Sequence, residues 1–321
     1  MSALDLPWLV ADIGGTNARF GLVTSLGARP SNVAVLAGAD YATLPEAVAA
    51  YLAEHSGGVR PGAACLALAG PIDGDRYRLT NSAWAGSVRD LGVPYVRLLN
   101  DFEALAVSLP HLDGDDLMSL GGPMPCHGVK AVLGPGTGLG VGGLVPAEHG
   151  WTPIPSEGGH VTVPVVERRE VEVVRALQSQ GLPHVVAEHV LSGPGLVRLH
   201  RALAQVNGVS APDLNASDIV ARVDDSLCAE TVEVFCGMLG SFAGDVALTL
   251  GARGGVYLGG GVLPRIVERV RTSSFRTRFE DNPDMAAYLA AIGTVLIVAP
   301  QPALTGAAAW LSQHARRELV G

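Results

Sequence analysis

The chain contains one three-part pattern twice, over residues 9–23 and again over residues 131–145. In each copy an apolar strand leads into a glycine-rich turn, and a second strand returns from it. Superposing Thr16 of the first turn on Thr137 of the second also brings two pairs of glycines into register. This repeat predicts two α/β lobes that arose by duplication.

The sequence excludes three common nucleotide-binding scaffolds: the dinucleotide fold, the Walker loop and the protein-kinase fold. Residues 138–143 match GxGxxG, but a dinucleotide site needs a helix directly after the glycines, and here Leu144 and Val145 continue as a strand. Lys130 is the only lysine of the chain. It precedes a strand and fits neither a Walker loop nor the strand lysine of a protein kinase. A chain of this kind that binds ATP must use another scaffold.

Length and charge narrow the class further. The 321 residues are enough for two lobes, and a content of 48% hydrophobic and 17% charged residues is typical of a folded globular protein. A net charge of −9 argues against a nucleic-acid partner, which would need a basic surface. No uninterrupted apolar run reaches the roughly 18 residues that span a bilayer. The N-terminus also lacks a basic signal-peptide region, so we expect a cytoplasmic protein without a membrane segment.

Hydrophobic periodicity predicts strands and helices mixed along the whole chain, which is an α/β pattern. The predicted strands cover residues 9–13, 18–23, 63–69, 96–99, 131–133, 139–145 and 256–258, with a further buried strand over 288–299. The predicted helices cover residues 43–55, 101–109, 167–181, 187–205, 217–226, 228–250, 262–270 and 303–318. We expect the last helix to pack on the N-terminal lobe.

The first glycine-rich turn, residues 14–17, is a candidate phosphate site. Glycines at the tip of a hairpin let backbone amides approach phosphate oxygens, and the hydroxyl of Thr16 adds a further donor. Asp12 lies just before the turn and is a carboxylate of the kind that holds Mg²⁺, usually through water. The alternative is a tight hairpin turn, in which Gly and Asn are common whatever the function.

Asn100 and Asp101 end a predicted strand, and the sites of α/β proteins gather at strand ends. An aspartate that accepts a hydroxyl proton, beside an asparagine that orients the substrate, is the arrangement that phosphoryl transfer to an alcohol needs. The same pair suits the N-cap of the following helix equally well, so the local pattern leaves both interpretations open.

Two more polar residues are candidates for binding hydroxyl groups, and a third polar residue stands at a predicted helix start. Glu157 and His160 flank two glycines, and together they offer an acceptor and a donor to neighbouring hydroxyls of a sugar. His160 has no cysteine cluster beside it of the kind that binds zinc. Glu188 opens a predicted helix, where an acid is also favoured simply by the helix dipole.

Taken in order, these motifs resemble the bacterial glucokinase family, ATP-dependent hexose kinases of the actin, Hsp70 and hexokinase superfamily. The resemblance runs nearly end to end through residues 12–19, 80–81 with Trp84, 100–102, 134–140, 157–160, 191–196, 259–261 and 279–281. The DxGGT motif at the first turn marks only the superfamily, whereas the EGGH and LSGPG motifs are specific to glucokinases. Pro135 and Ser156 depart from the family pattern, which usually has smaller residues there.

The resemblance implies an α/β, two-lobed actin/hexokinase-like (ribonuclease H-like) fold with a cleft between a small and a large domain. The small domain would cover residues 1–111 and be completed by a C-terminal helix over about 301–321. The large domain would cover residues 112–300. Closure of the cleft on sugar binding would keep water from accepting the phosphoryl group. Relatives are often homodimers, and we expect a homodimer here.

The resemblance also implies a role for each candidate residue. Asp101 would be the catalytic base, and Asp12 would hold Mg²⁺ through water. The sugar would be bound by Asn100, Asp101, Glu157, His160 and Glu188. The nucleotide would be bound by Ala11, Asp12, Ile13, Gly14, Gly15, Thr16, Thr137, Gly138, Gly259, Gly260 and Gly261.

The implied reaction is phosphorylation of glucose by ATP at the 6-hydroxyl, with Mg²⁺ as cofactor and no zinc, feeding glycolysis. The related ROK kinases carry a zinc-binding cysteine cluster, and this chain has no cysteine between Cys126 and Cys228. Three alternatives remain: a kinase of mannose, fructose or glucosamine, a sugar-binding regulator without turnover, and a structural ATPase like actin. Asp101 argues against the regulator, which needs no base, and the hydroxyl-binding residues argue against the structural ATPase.

Overall fold

The structure, a computed structural model, describes residues 6–80 and 82–320, with side chains up to residue 315. Asn81, which belongs to the motifs above, lies outside the described residues, as do the N-terminal residues 1–5. The chain divides into two compact units. Unit 1 comprises Met1–Gly114, Pro146–Pro155 and Ala299–Gly321, and unit 2 comprises Asp115–Val145 and Ser156–Val298.

Strands and helices are mixed in both units, as the α/β prediction requires. The strands of the described residues are β1 (Trp8–Ile13), β2 (Asn17–Val23), β3 (Ser31–Ala37), β4 (Ala63–Leu68), β5 (Ile72–Asp73), β6 (Arg76–Arg78), β7 (Ala85–Ser87), β8 (Tyr95–Asn100), β9 (Leu117–Gly121), β10 (Lys130–Pro135), β11 (Leu139–Ala147), β12 (Gly150–Ser156), β13 (Val256–Leu258) and β14 (Thr294–Ile297). The α-helices are α1 (Leu44–His55), α2 (Asp101–Ser108), α3 (Arg168–Ser179), α4 (Ala187–Val190), α5 (Gly193–Val206), α6 (Ala216–Ala221), α7 (Ser226–Leu250), α8 (Val267–Thr272), α9 (Phe275–Glu280), α10 (Ala286–Ala290) and α11 (Pro302–Val320).

The two main sheets share one topology. Their strand orders are β3-β2-β1-β4-β8 and β12-β11-β10-β13-β14-β9. In the first sheet β2 pairs antiparallel with β1, and β4 and β8 then add in parallel. In the second sheet β11 pairs antiparallel with β10, and β13 and β14 add in parallel. This correspondence supports the duplication inferred from the two glycine-rich turns.

The core of unit 1 lies against the parallel strands of its sheet. Every residue of β4 is buried, which is expected of a parallel strand covered on both faces. Helix α11 packs against α2, β1 and β4, so the prediction that the last helix packs on the N-terminal lobe is confirmed. The buried side chains of Leu304 and Leu311 make this contact apolar.

Unit 1 includes residues 146–155. A pair of hydrogen bonds joins the backbone of Trp151 in this segment to the Gln313 side chain on α11. The N–H of Trp151 donates to Oε1 at 2.7 Å, and Nε2 donates to the carbonyl of Trp151 at 2.8 Å. Residues 162 positions apart cannot be paired from local sequence.

Helix α7 runs through the core of unit 2. It packs against α5 and α9, and Phe235, Cys236 and Phe242 are among its buried side chains. By length and composition it is also the one described helix that could cross a membrane, but 72% of its most apolar window is buried inside the protein, as in a core helix. The sequence of α7 is not an uninterrupted apolar run, because it contains Glu230, Glu233 and Asp245.

Three predicted segments are wrong in detail. The helix predicted over 187–205 is two helices, because Ser192 breaks it and its side chain accepts a hydrogen bond from Gly195 N–H as the N-cap of α5. The helix predicted over 262–270 begins as a 3₁₀ turn at Leu263–Arg265 and becomes α-helical only in α8. The strand predicted within 288–299 begins only at Thr294, after α10 and Gly293.

Candidate active site

Unit 1 brings its predicted site residues to one edge of its sheet. Ile13 of β1 is in register with Leu68 of β4, and Leu68 is in register with Asn100 of β8. Asp12 and Asp101, the neighbours of the first and last of these residues, therefore lie two strands apart at the same edge. This is where parallel sheets build their binding sites.

The glycine-rich turn between β1 and β2 is held from both sides. Gly14 N–H donates to the carbonyl of Asn17 at 3.0 Å, and Gly38 N–H donates to the carbonyl of Thr16 at 2.8 Å. Gly15 is half-buried and Thr16 is exposed. The tip therefore presents backbone and a hydroxyl to solvent in a fixed geometry, which suits a phosphate group. Ala11 and Ile13, the other predicted nucleotide-binding residues of β1, are fully buried.

Asp12 is a half-buried carboxylate at the foot of this turn. Its Oδ2 lies 3.3 Å from Nη1 of Arg19 on β2. Burial raises the pKa of Asp12, and the charge and hydrogen bond of Arg19 oppose that rise. Among the described residues no group of three His, Cys, Asp or Glu side chains could hold a metal ion on its own. A lone carboxylate beside a phosphate turn is nevertheless the donor set that Mg²⁺ uses when phosphates and water supply its other ligands.

Asn100 is the N-cap of α2. Its Oδ1 accepts a hydrogen bond from Phe102 N–H at 2.9 Å, and its own N–H donates to Oε2 of Glu103 at 2.9 Å. The capping interpretation of this residue is therefore confirmed. Within the described part of the chain the amide nitrogen of its side chain donates no hydrogen bond, which leaves it for a substrate.

Asp101 is the first residue of α2, and its environment is unusual for a carboxylate. Burial raises the pKa of Asp101 to about 6, the hydrogen bond from Phe102 N–H opposes the rise, and the nearby charge of Asp12 adds to it. A carboxylate with this pKa is ionised at neutral pH and is a stronger base than an ordinary aspartate. These are the properties of a general base that works near neutrality.

The second glycine-rich turn, which we call the phosphate loop (residues 134–139), is the centre of the unit 2 site. Pro135 and Leu139 face each other as the last pair of the β10–β11 hairpin. Gly136 N–H donates to the carbonyl of Gly138 at 2.8 Å and closes the turn. Thr137 stands exposed at its tip. Both glycine-rich turns close a hairpin, as the sequence repeat predicts, but the last strand pair encloses residues 136–138 here and residues 14–17 in unit 1.

Two motifs that the sequence analysis singled out hold this loop from the helical side. Gly193 N–H, at the start of α5, donates to the carbonyl of Gly136 at 2.8 Å. Leu139 N–H donates to Oε2 of Glu188 on α4 at 2.9 Å. No role for Gly193 itself was predicted from the sequence, although the LSGPG motif that contains it was recognised as a family motif.

The glycine run after β13 supports the other side of the loop. Gly259 N–H donates to the carbonyl of Leu133 at 2.7 Å, and Val262 N–H donates to the carbonyl of Pro135 at 3.2 Å. Gly259 to Gly261 therefore follow directly beside the phosphate loop. The carbonyl of Pro135, one of the two departures from the family pattern, accepts one of these hydrogen bonds.

The EGGH segment packs against the far end of the loop. Gly159 lies so close to the carbonyl of Leu139 that a side chain there would collide with it. Nε2 of His160 is 3.9 Å from Oε2 of Glu157, and both side chains are more than half exposed. Ser156, the other departure from the family pattern, accepts a hydrogen bond from Gly158 N–H at 2.9 Å and so stabilises this turn.

Lys130 has no place in this arrangement. It starts β10, at the opposite end of the strand from the phosphate loop. Its buried ammonium donates to the carbonyls of Cys126 at 2.7 Å and Gly254 at 3.1 Å, and to the hydroxyl of Tyr257 at 3.1 Å. The only lysine is therefore a structural link, which agrees with the exclusion of lysine-based phosphate scaffolds.

The structure thus gathers the predicted residues into two groups, one in each unit. Unit 1 holds the turn with Asp12, Asn100 and Asp101, and unit 2 holds the phosphate loop with its surrounding motifs. A sheet of the same topology carries a phosphate-type turn in both, and a basic carboxylate adjoins the first. Fold and site together define a sugar kinase of the actin/hexokinase-like class.

The family described as glucokinase matches residues 9–314. The chain belongs to the glucokinase family, whose members are ATP-dependent kinases of glucose. The glucokinase of Saccharophagus degradans is 47% identical over 96% of this chain and 98% of that protein. The glucokinase of Paramagnetospirillum magneticum is 49% identical over 94% of this chain and 96% of that protein.

Solved structures agree with this assignment. A glucokinase from an Antarctic psychrotroph superposes with a TM-score of 0.88 at 37% identity, over 95% of this chain and 98% of that one. A glucokinase from Balamuthia mandrillaris in complex with glucose gives a TM-score of 0.76 at 22% identity, over 96% of this chain and 93% of that one. The second likeness shows the common fold.

Proposed function

We propose that the protein transfers the γ-phosphoryl group of ATP to the 6-hydroxyl of glucose and releases glucose 6-phosphate and ADP. The observation that carries the proposal is Asp101, a carboxylate at a strand end whose pKa burial raises to about 6. A hexose-binding protein without turnover has no need of such a base. The family membership of the chain supplies the substrate class.

In the proposed reaction Asp101 accepts the proton of the 6-hydroxyl as that oxygen attacks the γ-phosphorus. A bond forms between the sugar oxygen and phosphorus, and the bond between phosphorus and the bridging oxygen of ADP breaks. Little covalent chemistry falls to the protein, because phosphoryl transfer is catalysed mainly by positioning and charge stabilisation. The proton on Asp101 then passes to solvent.

The remaining hydroxyls of the sugar would be held by Asn100, Glu157, His160 and Glu188. Asn100 offers the amide nitrogen of its side chain, and the exposed pair of Glu157 and His160 offers an acceptor beside a donor. These contacts would fix the ring so that the 6-hydroxyl faces Asp101. Orientation of this kind is a large part of the rate that a kinase achieves.

ATP would bind through the two glycine-rich turns. Gly14, Gly15 and Thr16 of unit 1, with Thr137 and Gly138 of unit 2, would face the phosphates, and the backbone of Ala11 and Ile13 would line their approach. Residues 259–261 would lie along the adenosine. Mg²⁺ would be carried mainly by the phosphates and held by Asp12 through water, and when bound it neutralises charge on the transferring group.

We further propose the domain arrangement that the family resemblance implies. A small domain of residues 1–111 with the C-terminal helix and a large domain of residues 112–300 would enclose the substrates in a cleft and close on sugar binding. The protein would act in the cytoplasm as a homodimer, without a nucleic-acid or membrane partner and without zinc.

A sugar panel tests the substrate assignment. Purified protein with Mg²⁺ and ATP is assayed for ADP release with glucose, mannose, fructose and glucosamine, and kcat/KM is compared. We expect the highest value for glucose. A higher value for another hexose would keep the mechanism and change the substrate. If none of the four sugars gave ADP release, the proposal would be contradicted and the regulator would be the better account.

A further inference from the structure

The carboxylate of Glu188 is seated on the backbone of the phosphate loop. Its Oε2 accepts the hydrogen bond of Leu139 N–H at 2.9 Å. A Cβ placed on Gly138 would lie only 2.5 Å from the same oxygen, so the carboxylate fills the space that a side chain would take. A charged acceptor on a backbone N–H makes one of the stronger hydrogen bonds in proteins.

Glu188 is held in this position from its own side of the contact. Ser192 Oγ donates to the carbonyl of Glu188 at 2.8 Å, and Leu191 N–H donates to the carbonyl of Ala187 at 2.8 Å. Gly193 N–H then reaches the carbonyl of Gly136 at 2.8 Å. The segment from α4 to the start of α5 and the phosphate loop are therefore joined by the Gly193 backbone at one point and by the Glu188 carboxylate at another.

The second oxygen of this carboxylate remains available. Within residues 6–80 and 82–320, Leu139 N–H is the only hydrogen-bond donor to the Glu188 side chain. The residue is half-buried, so its side chain is still reached by solvent. A carboxylate accepts through both oxygens, and Oε1 can take a hydroxyl while Oε2 keeps the loop.

We propose that Glu188 is a positioning residue that couples the sugar site to the phosphate loop. One oxygen fixes the Leu139 amide, and with it the conformation of Thr137 and Gly138, while the other accepts a sugar hydroxyl. This inference rests on the proposed function for the sugar and nucleotide sites. The sugar would bind Glu188 in the rotamer that contacts the loop. Sugar binding would therefore stabilise that loop conformation and raise the affinity for nucleotide.

The coupling is reciprocal, so ATP must raise sugar affinity by the same factor. Glu157 supplies a matched control, because it is also a carboxylate of the proposed sugar site. Its side chain is 93% exposed and its ion-pair contact is with His160, not with the phosphate loop. Loss of either carboxylate should weaken sugar binding, but only loss of Glu188 should alter the loop in the absence of sugar.

The test compares Glu188→Ala, Glu188→Gln and Glu157→Ala with the wild type. Affinity for a non-hydrolysable ATP analogue is measured with Mg²⁺, first without sugar and then with saturating glucose. Hydrogen exchange of the Leu139 amide is followed in the sugar-free, nucleotide-free protein. This second readout depends on no ligand, so it judges the loop contact even if the proposed function fails.

Without sugar we expect Glu188→Ala to weaken analogue binding about fivefold or more and to accelerate exchange at Leu139. Glu188→Gln keeps an acceptor oxygen of the same reach, so it should remain within about twofold on both readouts. Glu157→Ala should match the wild type on both. With glucose present, the gain in analogue affinity seen in the wild type should disappear in Glu188→Ala.

The proposal would be overturned if Glu188→Ala had the same exchange rate at Leu139 and the same affinity for the analogue as the wild type. Equal losses in Glu157→Ala would overturn it as well, because the effect would then not depend on the loop contact. If Glu188→Ala accelerates exchange at Leu139 but the wild type binds neither glucose nor the analogue, the loop contact stands. The proposed function would then be contradicted and, with it, the coupling.

Discussion

Asp12 and Asp101 share one edge of the unit 1 sheet, and the charge of Asp12 adds to the burial that raises the pKa of Asp101 to about 6. The same burial raises the pKa of Asp12, but Arg19 keeps a positive charge beside it. Asp12 thus lies beside a cation, whereas Asp101 accepts a hydrogen bond from the Phe102 amide. Two carboxylates in such different environments can take different roles in one site.

The pH dependence of the reaction should report Asp101. Because its pKa is raised, the basic form is present above about pH 6 and is lost as the pH falls through that value. We expect kcat/KM for glucose at saturating Mg²⁺-ATP to be constant near neutrality and to fall tenfold per pH unit well below about 6. Binding of an ATP analogue, measured over the same range, should show no such limb. A profile that is flat through pH 6 would contradict the assigned base.

Two adjacent glycines beside the phosphate loop should respond differently to alanine. Gly260 has φ +82° and lies so close to the carbonyl of Pro135 that a Cβ would collide with it, whereas nothing lies within 4 Å of a Cβ on Gly261. Gly260→Ala should destabilise the protein by about 1–3 kcal/mol, and Gly261→Ala by much less. Thermal unfolding of both variants checks this, and equal melting temperatures would count against the described geometry.

A buried ion pair in unit 2 should contribute more to the free energy of unfolding than an exposed ion pair. Nη1 of Arg278 is 2.9 Å from Oε1 of Glu170, and the two side chains are 5% and 3% exposed. Arg278→Met strands a buried carboxylate and should cost about 3–5 kcal/mol of unfolding free energy. Arg168 is the control, since its pair with Glu172 is 3.0 Å long but its side chain is 93% exposed.

For Arg168→Met we expect a loss below about 1 kcal/mol. Urea unfolding of the two variants, read by circular dichroism, gives the comparison. Similar midpoints for both would show that the buried pair contributes no more than a surface contact.

Acid should lower the free energy of unfolding, because His200 takes up a proton more readily in the unfolded chain than in the folded protein. This side chain on α5 is 1% exposed, and its Nε2 has no hydrogen-bond partner among the described residues. Burial lowers the pKa of His200, Asp225 opposes this, and Arg201 adds to it. Unfolded chain takes up the proton near pH 6.5, whereas the folded protein takes it up only at lower pH, so stability is full above about 6.5 and falls below it.

The matched variant is His200→Leu, which has no proton to bind at this position. Urea unfolding at about pH 7.5 and at about pH 5.5 should show a smaller loss of unfolding free energy in the variant than in the wild type. If the two proteins lost the same amount, His200 would have no part in the acid sensitivity.

The elements that the sequence predicts well are those with a local cause. The strand at residues 63–69 is a continuous apolar run, and the strand at residues 9–13 is apolar except for Asp12. Helix α1 begins after Thr43, whose side chain accepts a hydrogen bond from Glu46 N–H. The two glycine-rich turns could be matched because each closes its own hairpin. The break between α4 and α5 was missed, although Ser192 followed by Pro194 is a helix-start signal.

The relations that the sequence could not reveal are contacts between distant segments. Glu188 and Leu139 are 49 residues apart, and a helix-start acid looks the same whether it faces solvent or a phosphate loop. At Asn100 and Asp101 the capping and catalytic interpretations use the same positions. The structure shows Asn100 as the cap of α2 and Asp101 as a half-buried carboxylate with a raised pKa, which the local sequence could not reveal.

The most direct measurement of the central claim is glucose 6-phosphate formation by wild type and Asp101→Asn with Mg²⁺-ATP, followed through a coupled dehydrogenase. The control is Asp90→Asn, which removes an acid from the exposed 3₁₀ turn at Val88–Leu91 of the same unit. We predict turnover in the wild type and the control, and a loss in Asp101→Asn by a factor on the order of 1,000 with glucose affinity kept within about tenfold. Undiminished turnover in Asp101→Asn would contradict the account.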